Sequence, residues 1–166
     1  MKELTEPEML HRAAAYCTAA ERCIYDVKKK IKAAGLDDDA AGRIIDRLTS
    51  ERFIDESRYC QSFVNDKLRF NKWGRIKIAY ELQKKQIPAD LRNEALENID
   101  EESYRSTLMK LLKEKKKGVK SKDARDLFAK LLRFAAGRGF ESRETISCLK
   151  QLLNEEECDE YDDYME

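Results

Sequence analysis

A chain of 166 residues with 40% charged side chains, two prolines and six glycines excludes a turn-rich strand sandwich and favours long solvated helices. Its formal net charge of zero hides an asymmetry. Residues 154–166 read NEEECDEYDDYME and hold eight of the 33 acidic residues with no Lys or Arg, leaving 33 basic against 25 acidic residues in residues 1–153, about +8.

In chain order, the first helix begins at a capping box: Thr5 caps it, Glu8 is the reciprocal partner and Pro7 falls in the first turn. Leu10, Ala13, Ala14 and Cys17 supply its apolar stripe. A second helix is expected over 21–34, with Ile24, Val27 and Ile31 at helical spacing and Gly35 as its left-handed stop. Asp37 to Asp39 offer caps for a third helix carrying Ile44, Ile45 and Leu48. A fourth runs over about 55–70, with Tyr59, Cys60, Phe63 and Val64. Asn71 to Gly74 form a break, Ile78 and Leu82 mark the next helix, and the Ile87-Pro88 step ends it. A short helix with Leu91, Ala95 and Leu96 follows. A long helix then begins near Glu102 (Tyr104, Leu108, Leu111, Leu112) and leads to a basic connector made flexible by Gly118. Leu127, Phe128, Leu131 and Leu132 mark the eighth helix. The last, with Ile146, Leu149 and Leu152, begins after Gly139, with Ser142 as its cap.

These elements repeat. Leu36, Ile87 and Phe140 each have apolar residues nine positions on (Ile45, Leu96, Leu149) and twelve positions on (Leu48, Ile99, Leu152). Nine positions earlier lie Val27, Ile78 and Leu131, and five earlier lie Ile31, Leu82 and Ala135. A repeat of roughly 50 residues that keeps helical spacing implies an all-α, elongated array of three tandem three-helix modules, 1–52, 53–99 and 100–153, followed by an acidic disordered tail over 154–166. Modules this small must pack on their neighbours. Such arrays hold a partner along a surface more often than they enclose a catalytic cleft.

The stretch FIDESRYCQSFVNDKLRFNKWGRIKIAYELQKKQI, residues 53–87, resembles the core motif of the RecX family, regulators of the bacterial recombinase RecA. The matching steps are Phe53-Ile54-Asp55, Phe63-Val64, Arg69, Gly74-Arg75-Ile76 and Glu81-Leu82, with Gln86-Ile87 where the family shows Gly-Ile. Gly137 to Phe140 looks like the family's Arg-Gly-Phe step, and KKKIKAAGLD like its first-module turn. The resemblance covers nearly all of residues 20–153. It implies a curved array that lies in the groove of a RecA–single-stranded DNA filament and blocks strand exchange and ATP turnover, or destabilises the filament.

Two basic clusters are the candidate contacts. Lys113, Lys115, Lys116, Lys117, Lys120 and Lys122, with Arg125 one turn on, form a run that attracts phosphates by counterion release, or else a solvated helix end. Lys67, Arg69, Lys72, Arg75, Lys77, Lys84 and Lys85 form the second, with Phe70 and Trp73 interleaved. Trp73, the only tryptophan, suits base stacking, a protein hot spot, or a cap on the core. Gly74-Arg75 reads as a helix start whose N–H groups hold an anion. Arg138, between two glycines, suits a phosphate or carboxylate, or complements its helix dipole.

Catalysis finds little support. His11 is the sole histidine, Cys17 and Cys23 have no metal-pair spacing, and the carboxylates are scattered, so neither an enzyme nor a bound cofactor is expected. Five cysteines without a framework (Cys17, Cys23, Cys60, Cys148, Cys158), no secretory signal and no membrane-length apolar run point to the reducing cytoplasm, with no membrane partner; a monomer is expected. Its expected partners are the RecA filament and single-stranded DNA, bound non-specifically. A helical adaptor indifferent to DNA is the alternative. A helix-turn-helix reader of duplex DNA ranks last, because the third helix of each module is mixed or acidic.

Overall fold

Helix starts are where this sequence speaks most plainly. The structure, a computed structural model, describes residues 3–153. Thr5 and Glu8 form the expected reciprocal capping box at the head of α1 (Glu6–Ala19). Asp37 accepts the Ala40 N–H at 2.8 Å to open α3 (Asp38–Ser50). Asp100 and Asp123 do the same for α7 (Glu101–Gly118) and α8 (Ala124–Gly137). α2 (Ile24–Ala33) starts later than expected, at a Cys23 cap that offers no side-chain bond. Glu56, at the first turn of α4 (Glu56–Asp66), accepts the Ile24 N–H instead, at 3.2 Å. Three further helices complete the described residues: α5 (Arg75–Lys84), α6 (Ala89–Glu97) and α9 (Ser142–Leu152). No strand occurs among them. The fold is all-α.

Among the described residues two compact units divide the chain, 3–63 with 82–95, and 64–81 with 96–153. In the first, α1, α2 and α3 pack on one another around Met9, Ala13, Val27, Ile31, Ile44 and Leu48. In the second, α7, α8 and α9 do so around Tyr104, Leu108, Leu112, Phe128, Leu131 and Leu149, and α7 also meets the turn that follows α4.

Most of the repeated apolar positions are core positions, while Leu36, Leu96 and Leu152 are half-buried. Val27, Ile78 and Leu131 are fully buried, as are Ile31, Leu82 and Ala135. Each anchor follows a residue in the left-handed region: Gly35 (φ 95°) before Leu36, Gln86 (φ 59°) before Ile87 and Gly139 (φ 91°) before Phe140. The turn therefore recurs with the core, and it closes the preceding helix by leaving its last carbonyls bonded: Ile87 N–H donates to Leu82 O and Phe140 N–H to Ala135 O.

Three further expectations change. Ser142 does not cap α9; Glu141 occupies that position without a side-chain bond, and Thr145 Oγ1 donates back to the Glu141 carbonyl at 2.9 Å. Gly118 is the last residue of α7, so Lys113 to Lys117 are helical and the connector is only 119–123. α4 does not run on as an α-helix to Phe70, but widens into a π turn over Lys67–Asn71. The acidic tail expected over 154–166 lies outside the described residues.

Candidate functional site

The π turn sets the geometry of the candidate surface in the second unit. Adding one residue per turn shifts the register of the side chains, and such turns recur at functional sites. It ends at Lys72, whose left-handed backbone (φ 57°) sends its N–H back to Lys67 O while its Nζ donates to Arg69 O at 2.5 Å. Trp73 follows, half-buried, with Lys67 Nζ 4.9 Å and Lys77 Nζ 4.8 Å from its ring centroid. The Arg69 guanidinium lies 5.2 Å from the ring centroid of Phe70, which is 68% exposed. Cations on aromatic faces keep these rings at the surface without an apolar cover.

The start of α5 is fastened to the turn between α8 and α9. Gly74 N–H donates to Arg138 O at 2.8 Å, Ile76 N–H to Gly139 O at 3.0 Å, and Arg75 N–H to Tyr104 Oη at 3.0 Å. Those amides already have acceptors, so this helix start is not the anion site its sequence suggested. Arg75 itself is turned inward, its side chain 19% exposed. It pairs with Glu101 at 2.5 Å and Glu141 at 3.0 Å, and lies 4.0 Å over the Tyr104 ring. Burial opposes its charge, but the bond to Glu141 and the nearby Glu101 outweigh it and hold the guanidinium above its usual pKa. Tyr104 donates its hydroxyl to Glu141, and burial pushes its own ionisation well above the tyrosine range.

Arg138 brings the two sequence-distant basic clusters together. Its Nη1 donates to Asn71 O at 3.0 Å, beside Lys72 and Trp73. Its guanidinium also lies 5.5 Å from the centroid of Phe134, and Lys115 Nζ is 4.9 Å from the same ring. One strip of the second unit thus runs from Lys77 and Lys67 through Trp73 to Arg138, Phe134 and Lys115. Lys113 and Lys116 are exposed on the last turns of α7, Lys117 pairs with Glu114 at 3.4 Å, and the cations there complement the helix dipole. Lys120 and Lys122 are exposed in the connector, where backbone groups tie them down: Lys120 O accepts from Lys130 Nζ, and Lys122 N–H donates to Asp126. Arg125 is exposed in the first turn of α8.

Two candidates fall in the other unit. Lys84 is exposed there, and Lys85 is paired with Asp26 at 2.6 Å, a bond that raises its pKa against the opposing effect of burial. Sequence reasoning missed Ile76 and Tyr80, which are 58% and 60% exposed. The signal was present: they sit four apart on a helix whose core positions are Ile78 and Leu82, so their apolar side chains belong to a second face. Among the described residues no cluster of His, Cys, Asp or Glu has the arrangement of a metal site, and no helix is long and apolar enough to cross a membrane.

Comparison with known proteins adds the family. A profile described as RecX, second three-helix domain, matches residues 55–96. The chain is 31% identical to the regulatory protein RecX of Clostridium tetani over 135 residues, 80% of this chain and 60% of that protein. It is 28% identical to the regulatory protein RecX of Prosthecochloris aestuarii over 153 residues, 92% of this chain and 99% of that one. The chain spans about 60% of the length of the clostridial relatives. The crystal structure of RecX from Lactobacillus salivarius superposes with a TM-score of 0.78 at 19% identity, covering 89% of this chain and 96% of that one. A second, the crystal structure of regulatory protein RecX, gives 0.74 at 20% identity over 83% and 71%. At these identities the superpositions speak to the fold.

Proposed function

The chain belongs to the RecX family of regulatory proteins, and from that premise we propose that it regulates the RecA recombinase. It binds the RecA–single-stranded DNA filament, inhibits strand exchange and ATP hydrolysis, and so modulates DNA repair and recombination in the cytoplasm. It acts as a monomeric, non-enzymatic array of three modules, 1–52, 53–99 and 100–153.

The observation that carries this reading is the meeting of the two basic clusters at Arg138. Lysines spaced along a surface neutralise phosphates whatever the sequence, and half-exposed rings among them suit the faces of unstacked bases. Lys67, Arg69, Lys72, Trp73, Lys77 and Lys115 are the contacts with side chains at this surface; Lys113, Lys116, Lys117, Lys120, Lys122 and Arg125 extend its charge. Arg75 and Lys85 hold the protein together and contribute little. Lys84 belongs to the other unit.

The second reading is a protein adaptor without preference for DNA, favoured by the exposed Phe70, Ile76 and Tyr80. Salt separates the two. A filament binder of this kind holds single-stranded DNA with an affinity that falls steeply with ionic strength, about 0.7 per neutralised phosphate on a log–log plot. An adaptor shows no such slope, and neutralising the lysines leaves its partner binding intact.

A further inference from the structure

The same face of the second unit has the chemistry to accept a segment of this chain. Ile76 and Tyr80 share one side of α5 and are more than half exposed, as is Phe70 at the π turn; Arg69 lies over the Phe70 ring, Lys72 closes the π turn, and Lys77 follows Ile76 on α5 with its ammonium over Trp73. Exposed apolar side chains among cations match a ligand that is acidic and carries apolar groups of its own. Residues 154–166 have that composition: eight carboxylates, no Lys or Arg, and Tyr161, Tyr164 and Met165 spaced among them.

We propose that residues 154–166 dock on the face formed by Phe70, Ile76, Tyr80 and the surrounding Arg69, Lys72 and Lys77, and compete there with single-stranded nucleic acid. Reach is sufficient. The segment leaves the second unit at Leu153, which is 6% exposed. Fully extended it reaches up to about 43 Å, whereas a compact body of this unit's size has a radius of gyration of only about 11 Å. Tethering also supplies the competitor at an effective concentration of the order of millimolar, so that even weak docking suppresses an intermolecular ligand about tenfold. Carboxylates here stand in for phosphates, and the tyrosines for bases. The consequence is a protein whose basic face opens to a polyanion able to displace the segment. This rests on the reading that the face binds nucleic acid, although the docking itself does not.

The chain carries the probes for its own test. Trp73 is the only tryptophan and lies under the ammonium of Lys77, and Cys158 lies in the acidic segment. The other four cysteines, Cys17, Cys23, Cys60 and Cys148, are buried. A dye that accepts tryptophan emission is attached to Cys158 of the full chain, with Cys158→Ser as the control for selective labelling, and energy transfer from Trp73 is read against salt. The expected result is efficient transfer at about 0.05 M salt that falls at least twofold by about 1 M, where screening shortens to about 3 Å. The triple variant R69E, K72E, K77E abolishes the low-salt transfer. Transfer equal at both salts, or indifferent to the charge reversal, overturns the proposal, and transfer that rises with protein concentration overturns it in favour of docking on a second copy. Neutralising the segment's eight carboxylates to Gln and Asn then tightens oligonucleotide binding about tenfold; unchanged affinity refutes the competition. No recombinase enters either assay, so their failure leaves the regulatory reading untouched, and failure of that reading leaves the docking result.

Discussion

Gly74 and Gly139 approach so closely that a methyl group on Gly74 would lie 2.4 Å from the Gly139 carbonyl oxygen, and one on Gly139 would lie 2.3 Å from Lys77 Cβ. This backbone-to-backbone contact lets Gly74 N–H and Ile76 N–H reach the carbonyls of Arg138 and Gly139, and with them it fixes where Trp73 and Arg138 stand. Gly74→Ala has no room, because the obstacle is backbone. It is expected to lower the unfolding free energy by about 3 kcal/mol or more in urea titration. Gly42→Ala, inside α3 with open space around it, is the matched control and should gain about 0.5–1 kcal/mol. Equal effects at the two positions would remove the packing argument.

Gln86 pays for a left-handed backbone that glycine occupies in the equivalent turns before Leu36 and Phe140. Gln86→Gly should therefore stabilise the protein by about 0.5–1 kcal/mol, the left-handed strain relieved less the entropy that glycine loses on folding. A lower urea midpoint for the variant would mean that the Gln86 side chain contributes more than its backbone costs.

Much of this was legible in the residues because local chemistry and core burial agree. Val27, Ile78 and Leu131 could be aligned by spacing alone, and all three are buried. Thr5, Glu8 and Asp37 act where short polar side chains before apolar runs must act. The candidate surface was harder. Arg75 and Lys85 look like their exposed neighbours in the sequence, and only tertiary partners remote along the chain, Glu141 and Asp26, identify them as internal ties. Nor does any local signal say that Arg138 would bond the carbonyl of Asn71, which is what joins the two basic clusters. The π turn is invisible to a helical-period argument, since Lys67 to Asn71 carry acceptable helix formers.

The paired charges around Arg75 predict a specific asymmetry. Arg75→Lys keeps the charge but cannot hold Glu101 and Glu141 together while covering the Tyr104 ring, so stability should fall by about 1–3 kcal/mol. Tyr104→Phe, which takes a donor from Glu141 and an acceptor from Arg75 N–H, should cost a similar amount. Arg69→Lys, exposed and beside Phe70, should leave the unfolding midpoint where it is. Chemical denaturation of the three variants checks the ranking.

Buried thiols give the protein an alkaline limit. Burial pushes Cys23 and Cys60 up to about 11 from 9.0, and raises Cys17 and Cys148 in the same direction. The folded state therefore binds these protons more tightly than the unfolded chain. The resulting stability is fully present below about pH 9 and is lost as pH rises towards 11, by an amount of the order of 2 kcal/mol for each of Cys23 and Cys60. Urea midpoints measured across that window should fall, and Cys60→Ala should flatten part of the decline even though it lowers the midpoint at neutral pH. A slope unaffected by the substitution would place the alkaline sensitivity elsewhere.

Regulation of the recombinase through the basic strip is tested most directly by RecA ATP hydrolysis on single-stranded DNA titrated with this protein. The expected result is inhibition at amounts well below those of RecA, and a several-fold loss of potency when Lys67, Lys72, Lys77 and Lys115 are changed together to Gln in a variant that keeps its helical content. Undiminished ATP hydrolysis at protein in excess of RecA would contradict the regulatory function, and full potency in the variant would contradict the assignment of the strip.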